Sequence, residues 1–227
     1  MNQFLANIFP NVASRGAEFF DATVQTLIMV AAAGAISFVL ALILAVVLIT
    51  TRRGGLLQNV VVYNILDKVI NLFRSIPFII LAAALVPLTR AVVGTAIGTK
   101  GALLPLVVGI TPFFARQLES ALSSTDPGLI EAAEAMGSSR TGIIWHVYLR
   151  ESIPSILKVT TITIVNLIGL TAIVGIVGGG GLGDFAIRYG YQRYMADATY
   201  ATIIVLVVII GLVEFAGKVL EDATDHQ

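Results

Sequence analysis

The sequence predicts an all-α protein, a polytopic bundle of five transmembrane helices, and three observations predict it. Of the 227 residues, 57% are hydrophobic and only 12% are charged, where a soluble domain carries about a quarter charged residues. Mean hydropathy is +0.92, too high for a surface that meets water throughout. The charges that remain collect at the ends of long apolar runs, as they do when each run crosses a bilayer and its flanks reach the headgroups.

The first span follows from Asp21 and Arg52, which bracket an uncharged stretch from Ala22 to Thr51. A helix needs roughly 20 residues to cross, at 1.5 Å each, and this stretch exceeds that. A second long uncharged stretch runs from Val159 to Gly183. Three shorter apolar runs, Ser75 to Thr89, Gly101 to Ala115 and Ala198 to Val213, are extended by Arg74, Arg90, Arg116 and Lys218, whose stems snorkel. The spans are therefore placed at 22–50, 69–89, 101–122, 156–178 and 199–219.

Prolines single out two of these. Pro77 and Pro87 bracket the second span, and Pro105 and Pro112 sit in the third. Each removes a helix hydrogen bond, and in lipid the freed carbonyls need partners from neighbouring helices or water. Pro77 and Pro105 are thus candidates for a translocation path, with kinked packing helices as the plainer alternative. Asn166, in TTITIVNLIGL, is the most conspicuous mid-membrane polar residue. Its amide is expected in an interhelical hydrogen bond or, with Thr163, on the path.

Lysine and arginine placement sets orientation. With the N-terminus outside, nine cations fall inside (Arg52, Arg53, Lys68, Arg74, Arg116, Arg140, Arg150, Lys158 and Lys218) and five outside (Arg15, Arg90, Lys100, Arg188 and Arg193). The C-terminus and the loop 123–155 are then cytoplasmic. The N-terminal stretch, MNQFLANIFPNVASRGAEFFDA, lacks the charged start, apolar run and small-residue site of a cleaved leader. Length and the absence of a linker predict one domain over residues 1–227.

Composition also excludes. Zero net charge offers no field to recruit nucleic acid. With no cysteine there is no disulfide, thiol nucleophile or cysteine metal site. His146 and His226 do not suggest a metal site, and no acid–base or nucleophilic set is visible.

The loop SSTDPGLIEAAEAMGSSRTGIIWHVYLRESIP carries the strongest local signals. Asp126 is placed to cap a helix whose first position is Pro127. Gly137 suits the left-handed stop, and Ser138 or Ser139 a second cap. In the second helix Ile143, Ile144, Val147 and Tyr148 share a face. Such a hairpin is either a connector on the membrane surface or a docking element for a soluble partner.

Glu131-Ala132-Ala133, three residues (Glu134, Ala135, Met136) and Gly137 resemble the EAA motif of bacterial ABC-importer permeases. The family's Leu-Pro end is here Leu149-Arg150, with Pro154 four residues on. Longer stretches resemble the permease of the methionine uptake transporter family: NLFRSIPFIIL (71–81), VGTAIG (93–98), PFFAR (112–116) and GGGGLGDFAIRYGYQRY (178–194). The resemblance implies a type I ABC importer permease fold in the bacterial cytoplasmic membrane. It implies a homodimer of permeases, two ATPase subunits carrying ATP-Mg, an extracytoplasmic binding protein, and no cofactor in this chain. Residues 131–137 would form the coupling helix held in a groove of the ATPase, with Glu131 offered to a basic group. The substrate implied is methionine, with D-methionine or a related amino acid as variants.

Two phosphate-binding motifs fail. Gly178, Gly180 and Gly183 match G-x-G-x-x-G but end an apolar helix instead of following a strand, so a glycine-rich turn or close helix approach on the outer side is expected, with contact to the binding protein as the functional alternative. GTAIGTKG (94–101) has one residue too few between glycines, and Gly101 stands where Ser or Thr is needed. Glu214 and Lys218, one turn apart, are expected to pair. An ion-coupled carrier would need midplane ionisable groups, for which Glu214 alone is poor support; a permease for another solute is the nearer alternative.

Overall fold

The structure, a computed structural model, describes residues 8–224. His226 and the first seven residues of the stretch read as lacking a leader lie outside the described residues. Every regular element among those described is helical: α1 (Pro10–Ala13), α2 (Gly16–Thr51), α3 (Val60–Ser75), α4 (Phe78–Ala84), α5 (Val86–Val93), α6 (Gly98–Ser123), α7 (Pro127–Ala135), α8 (Arg140–Ile143), α9 (Leu149–Glu151), α10 (Ile153–Val174), α11 (Gly181–Phe185) and α12 (Ala196–Thr224). Three wider π turns, π1 (Ile144–Tyr148), π2 (Gly175–Gly179) and π3 (Ala186–Tyr191), continue them. The all-α expectation holds.

Among the described residues four helices are long and apolar enough to cross a membrane: Gly16–Thr51, Gly98–Ser123, Ile153–Gly179 and Ala196–Thr224. They contain four of the five expected spans. The fifth, 69–89, is not one helix but parts of α3, α4 and α5. Pro77 is the cause. Its ring disfavours helical geometry at Ile76, and Pro77 itself stands at ψ 129°, outside the helical region, as the residue before α4. A second joint at Leu85 separates α4 from α5, whose first turn takes Pro87 without loss because its N–H would be unpaired there.

The chain packs as two compact units, and α2, α6, α10 and α12 each supply residues to both. The first unit comprises the chain through Ile36, Ile76–Gly109 and Ile164–Val213. Its core gathers Ala22, Leu182, Phe185, Tyr189 and Ala198, with Phe19 edge-on to Phe185 at 5.1 Å between ring centres. The second comprises Ser37–Ser75, Ile110–Thr163 and the chain from Glu214 on. Ala41, Ala45, Leu48 and Ile49 pack there with Phe114, Leu118 and Leu122. Alanines one turn apart on α2 let another backbone approach closely, the usual device of membrane helix packing.

α12 turns Tyr200, Ile203, Ile204, Val207, Val208, Leu212 and Phe215 outward. An unbroken apolar surface of this kind suits lipid, where it loses nothing by exposure.

Candidate functional site

The hairpin is built by the local chemistry its sequence announces. The Asp126 carboxylate accepts a hydrogen bond from the Gly128 N–H at 2.8 Å, and Pro127 opens α7. At the far end Gly137 stands at φ +77°. Its N–H donates to Glu134 O at 2.9 Å, and the Ser138 N–H donates to Ala133 O at 3.0 Å. This pair of bonds is the Schellman closure, which needs a left-handed residue and so favours glycine. Ser139 then caps α8, accepting from the Gly142 N–H at 3.1 Å. Replacing Asp126 with alanine is expected to cost about 1 kcal/mol, read as faster amide exchange across α7 with α6 unchanged.

π1 completes the hairpin. Ile143 and Tyr148, five residues apart, are both buried, and Ile144 and Val147 are half-buried. On an α-helix positions five apart diverge, whereas the wider π turn brings them nearer one face. The expected apolar face therefore forms, and it rests against Leu118 and Leu122 of its own unit. A buried hydrogen bond between the hydroxyls of Thr125 and Ser152, 3.0 Å long, ties the two ends of the loop together.

One residue of the motif faces the other way. Ala133 is buried in the second unit's core beside Ile143 and Tyr148. Its small side chain lets α7 lie close to its own bundle and does not admit a partner. Glu131, Ala132, Glu134, Ala135, Met136 and Gly137 are exposed. Beside them Leu129 and Trp145 are exposed as well, an apolar surface that the motif alone does not reveal. The sequence signal for Trp145 is that the chain's one tryptophan falls off the Ile143–Tyr148 face.

In the same unit, Arg116 of α6 bridges two helices. Its guanidinium pairs with Asp67 of α3 and with Glu119 at 2.6 Å, and reaches Asn71 Oδ1 at 3.5 Å. The expected pair Glu214–Lys218 does not form. Both side chains are exposed, and the ion pair at this place is Lys158–Glu221 at 3.8 Å. These groups line an open cleft of about 350 Å³ with Thr161, Ile162 and Gly217.

The four path candidates separate. Thr163 is buried, and its hydroxyl donates to Val159 O of its own helix at 2.7 Å. Pro105 is buried against a cavity of about 20 Å³, room for one water. Pro77 and Asn166 are exposed. Among the described residues no interhelical bond of Asn166 accompanies that exposure.

The glycine stretch is a close approach, as its position in the chain implied. Gly178, Gly180 and Gly181 take φ of +89°, +77° and +76°. The amides opening α11 are already engaged: Gly181 N–H donates to Gln25 Oε1 and Leu182 N–H to Thr26 Oγ1, both at 2.9 Å. No strand precedes them among the described residues, so no dinucleotide site results.

Apolar helices long enough to cross a bilayer, joined to a separately capped hairpin whose exposed face is part apolar and part acidic, are the build of a membrane protein with a surface open to a soluble partner. Residues 38–226 match the family described as binding-protein-dependent transport system inner membrane component, and the chain belongs to that family. It is 46% identical over 206 residues to a probable D-methionine transport system permease protein of Vibrio cholerae, covering 91% of this chain and 92% of that one. It is 40% identical over 219 residues to a methionine import system permease protein of Bacillus subtilis, covering 96% and 98%. A solved structure of the MetNI methionine ABC transporter in an inward-facing conformation superposes with a TM-score of 0.92 at 38% identity, covering 94% of this chain and 99% of that one. The type I ABC importer permease fold is thereby shown, and with it a place in the inner membrane.

Proposed function

We propose that this chain is the permease of an ATP-driven importer for methionine, D-methionine included, acting as one transmembrane domain in a homodimer. Two ATPase subunits with ATP-Mg serve it from the cytoplasm and a binding protein delivers the amino acid from outside. The N-terminus lies outside and the C-terminus inside, in keeping with the nine-to-five distribution of cations. The substrate rests on the names of relatives aligned over nine-tenths of the chain.

One observation carries the mechanism: the hairpin α7–α8 is capped at both ends of α7, which holds its shape, and it exposes Glu131, Ala132, Glu134 and Met136. A rigid lever transmits a displacement that a floppy loop would absorb. Closure of the ATPases on ATP would move the hairpins and, through Ala133, Ile143 and Tyr148, the helices they rest on. Alternating access follows if ATP and the loaded binding protein prefer different states. The exposed candidates Asn166 and Pro77 are available to line the path.

Reconstituted with ATPase and binding protein, the permease is expected to take up radiolabelled methionine only with ATP. Uptake that survives ATP depletion and follows a proton gradient would overturn the reading. Glu131→Lys places a cation where a basic groove is expected, and should abolish ATPase co-purification and uptake while the permease still folds. Normal assembly in that variant would remove Glu131 from the interface.

A further inference from the structure

Asn166 occupies the centre of the apolar span Ile153–Gly179, thirteen residues from either end. From Ile153 that is about 20 Å of α-helix at 1.5 Å per residue, which places the amide deep in the apolar layer. The nearest threonine on either side closes on its own helix. Thr163 donates to Val159 O at 2.7 Å, and Thr171 to Ile168 O at 2.7 Å. A primary amide has two donors and an acceptor and cannot close on its own helix so completely. Asn166 is exposed, and no other described residue hydrogen-bonds to it. Three residues on, Gly169 is exposed too, and a Cβ there would meet nothing within 4 Å. This face of α10 carries an unmet amide beside a gap. Facing lipid, it would bear the full desolvation cost of that amide.

We infer that Asn166 meets Asn166 of a second copy of this chain across the two-fold axis, and that the pair is the polar ring at the midplane of the translocation path. The carboxamide is self-complementary, each N–H donating to the other's oxygen, as an isologous contact requires. Gly169 lets the two helices come close enough for the short side chains to meet. When the copies part, the same donors and acceptors face water and a passing amino acid's ammonium and carboxylate. The inference rests on the homodimeric permease proposed above and names the residue and face that make it.

The chain has no cysteine, so single-cysteine variants report one site each. In the assembled transporter, Asn166→Cys is expected to give a disulfide-linked permease dimer on mild oxidation, the Cα atoms lying within about 7 Å. It should also react with a charged, membrane-impermeant thiol reagent once ATP trapping separates the copies. Val207→Cys, on the lipid-facing side of α12, should do neither. Asn166→Leu, which keeps bulk and removes the amide, should lower uptake by about tenfold, the scale of one interhelical bond in model helices, with Asn166→Gln partly restoring it. A transporter with two permease copies in which the Asn166→Cys thiol neither links nor labels above the Val207→Cys control would overturn the inference and leave the dimeric permease standing. A single permease copy per complex would overturn both.

Discussion

Replacing Arg116 with alanine is expected to lower the melting temperature of the purified permease more than any other single charge removal. The guanidinium side chain is 18% exposed and is held by Asp67 and Glu119, whose side chains are 33% and 13% exposed. Removing it strands two carboxylates near each other in a partly buried place. Breaking a buried pair costs roughly 3–5 kcal/mol, and the exposure of Asp67 puts this case toward the lower end, since water screens that arm. Arg116→Lys should recover only part of the loss, because an ammonium cannot span both acids with fixed planar donors. Adding Asp67→Asn and Glu119→Gln to Arg116→Ala should recover most of it by removing the stranded charges. Thermal unfolding in one detergent across this cycle gives the coupling directly. A triple variant no more stable than Arg116→Ala would locate the loss in packing instead of charge.

The consequence reaches function because α6 leads into the hairpin, while α3 leads into the joint at Pro77. Asp67 and Asn71 are therefore the points at which α3 is fastened to the helix that ends at Ser123. Loosening them should weaken transmission from the hairpin as well as stability.

What the sequence made legible follows range. Asp126, Pro127, Gly137 and Ser139 act on amides and carbonyls within a few residues of themselves, so their identities announced the caps that form. Four spans were legible because apolar length is a one-dimensional property. The broken span was half legible: Pro77 stands out in the sequence, but whether a proline kinks or divides a helix depends on its neighbours. Ala133 and Ala132 look alike in the motif, and only the packing of Ile143 and Tyr148 decides that Ala133 turns inward. Lys158–Glu221 could not be read in advance, because partners on different helices are invisible to spacing. The cost of burying Asn166 is plain from its apolar surroundings in the sequence, but its exposure needed the fold.

The other large effect is expected at Gly183, where alanine should impair accumulation of the folded permease. An added Cβ would overlap Ala172 O, and would lie 2.6 Å from the Ala172 Cα and 2.8 Å from its carbonyl carbon. These are backbone atoms of α10, so no rotamer change relieves the overlap. The approach is tight from the other side as well: a Cβ on Gly175 would stand 2.5 Å from Asp184 N and 2.9 Å from the Gly183 carbonyl carbon. Overpacking costs about 1–3 kcal/mol where side chains can yield, and a backbone collision should exceed the middle of that range. Gly190→Ala is the informative comparison, since the first atom its Cβ would meet is Thr199 Oγ1, which belongs to a side chain. It should be milder, and improved by adding Thr199→Ala. Gly211 lies within α12, and a Cβ added there would meet nothing within 4 Å. It should accept alanine with a gain of up to about 1 kcal/mol in helix preference. Equal melting temperatures for Gly183→Ala and Gly211→Ala would mean that the α10–α11 approach is looser than these distances require, and that the glycines serve some end other than contact.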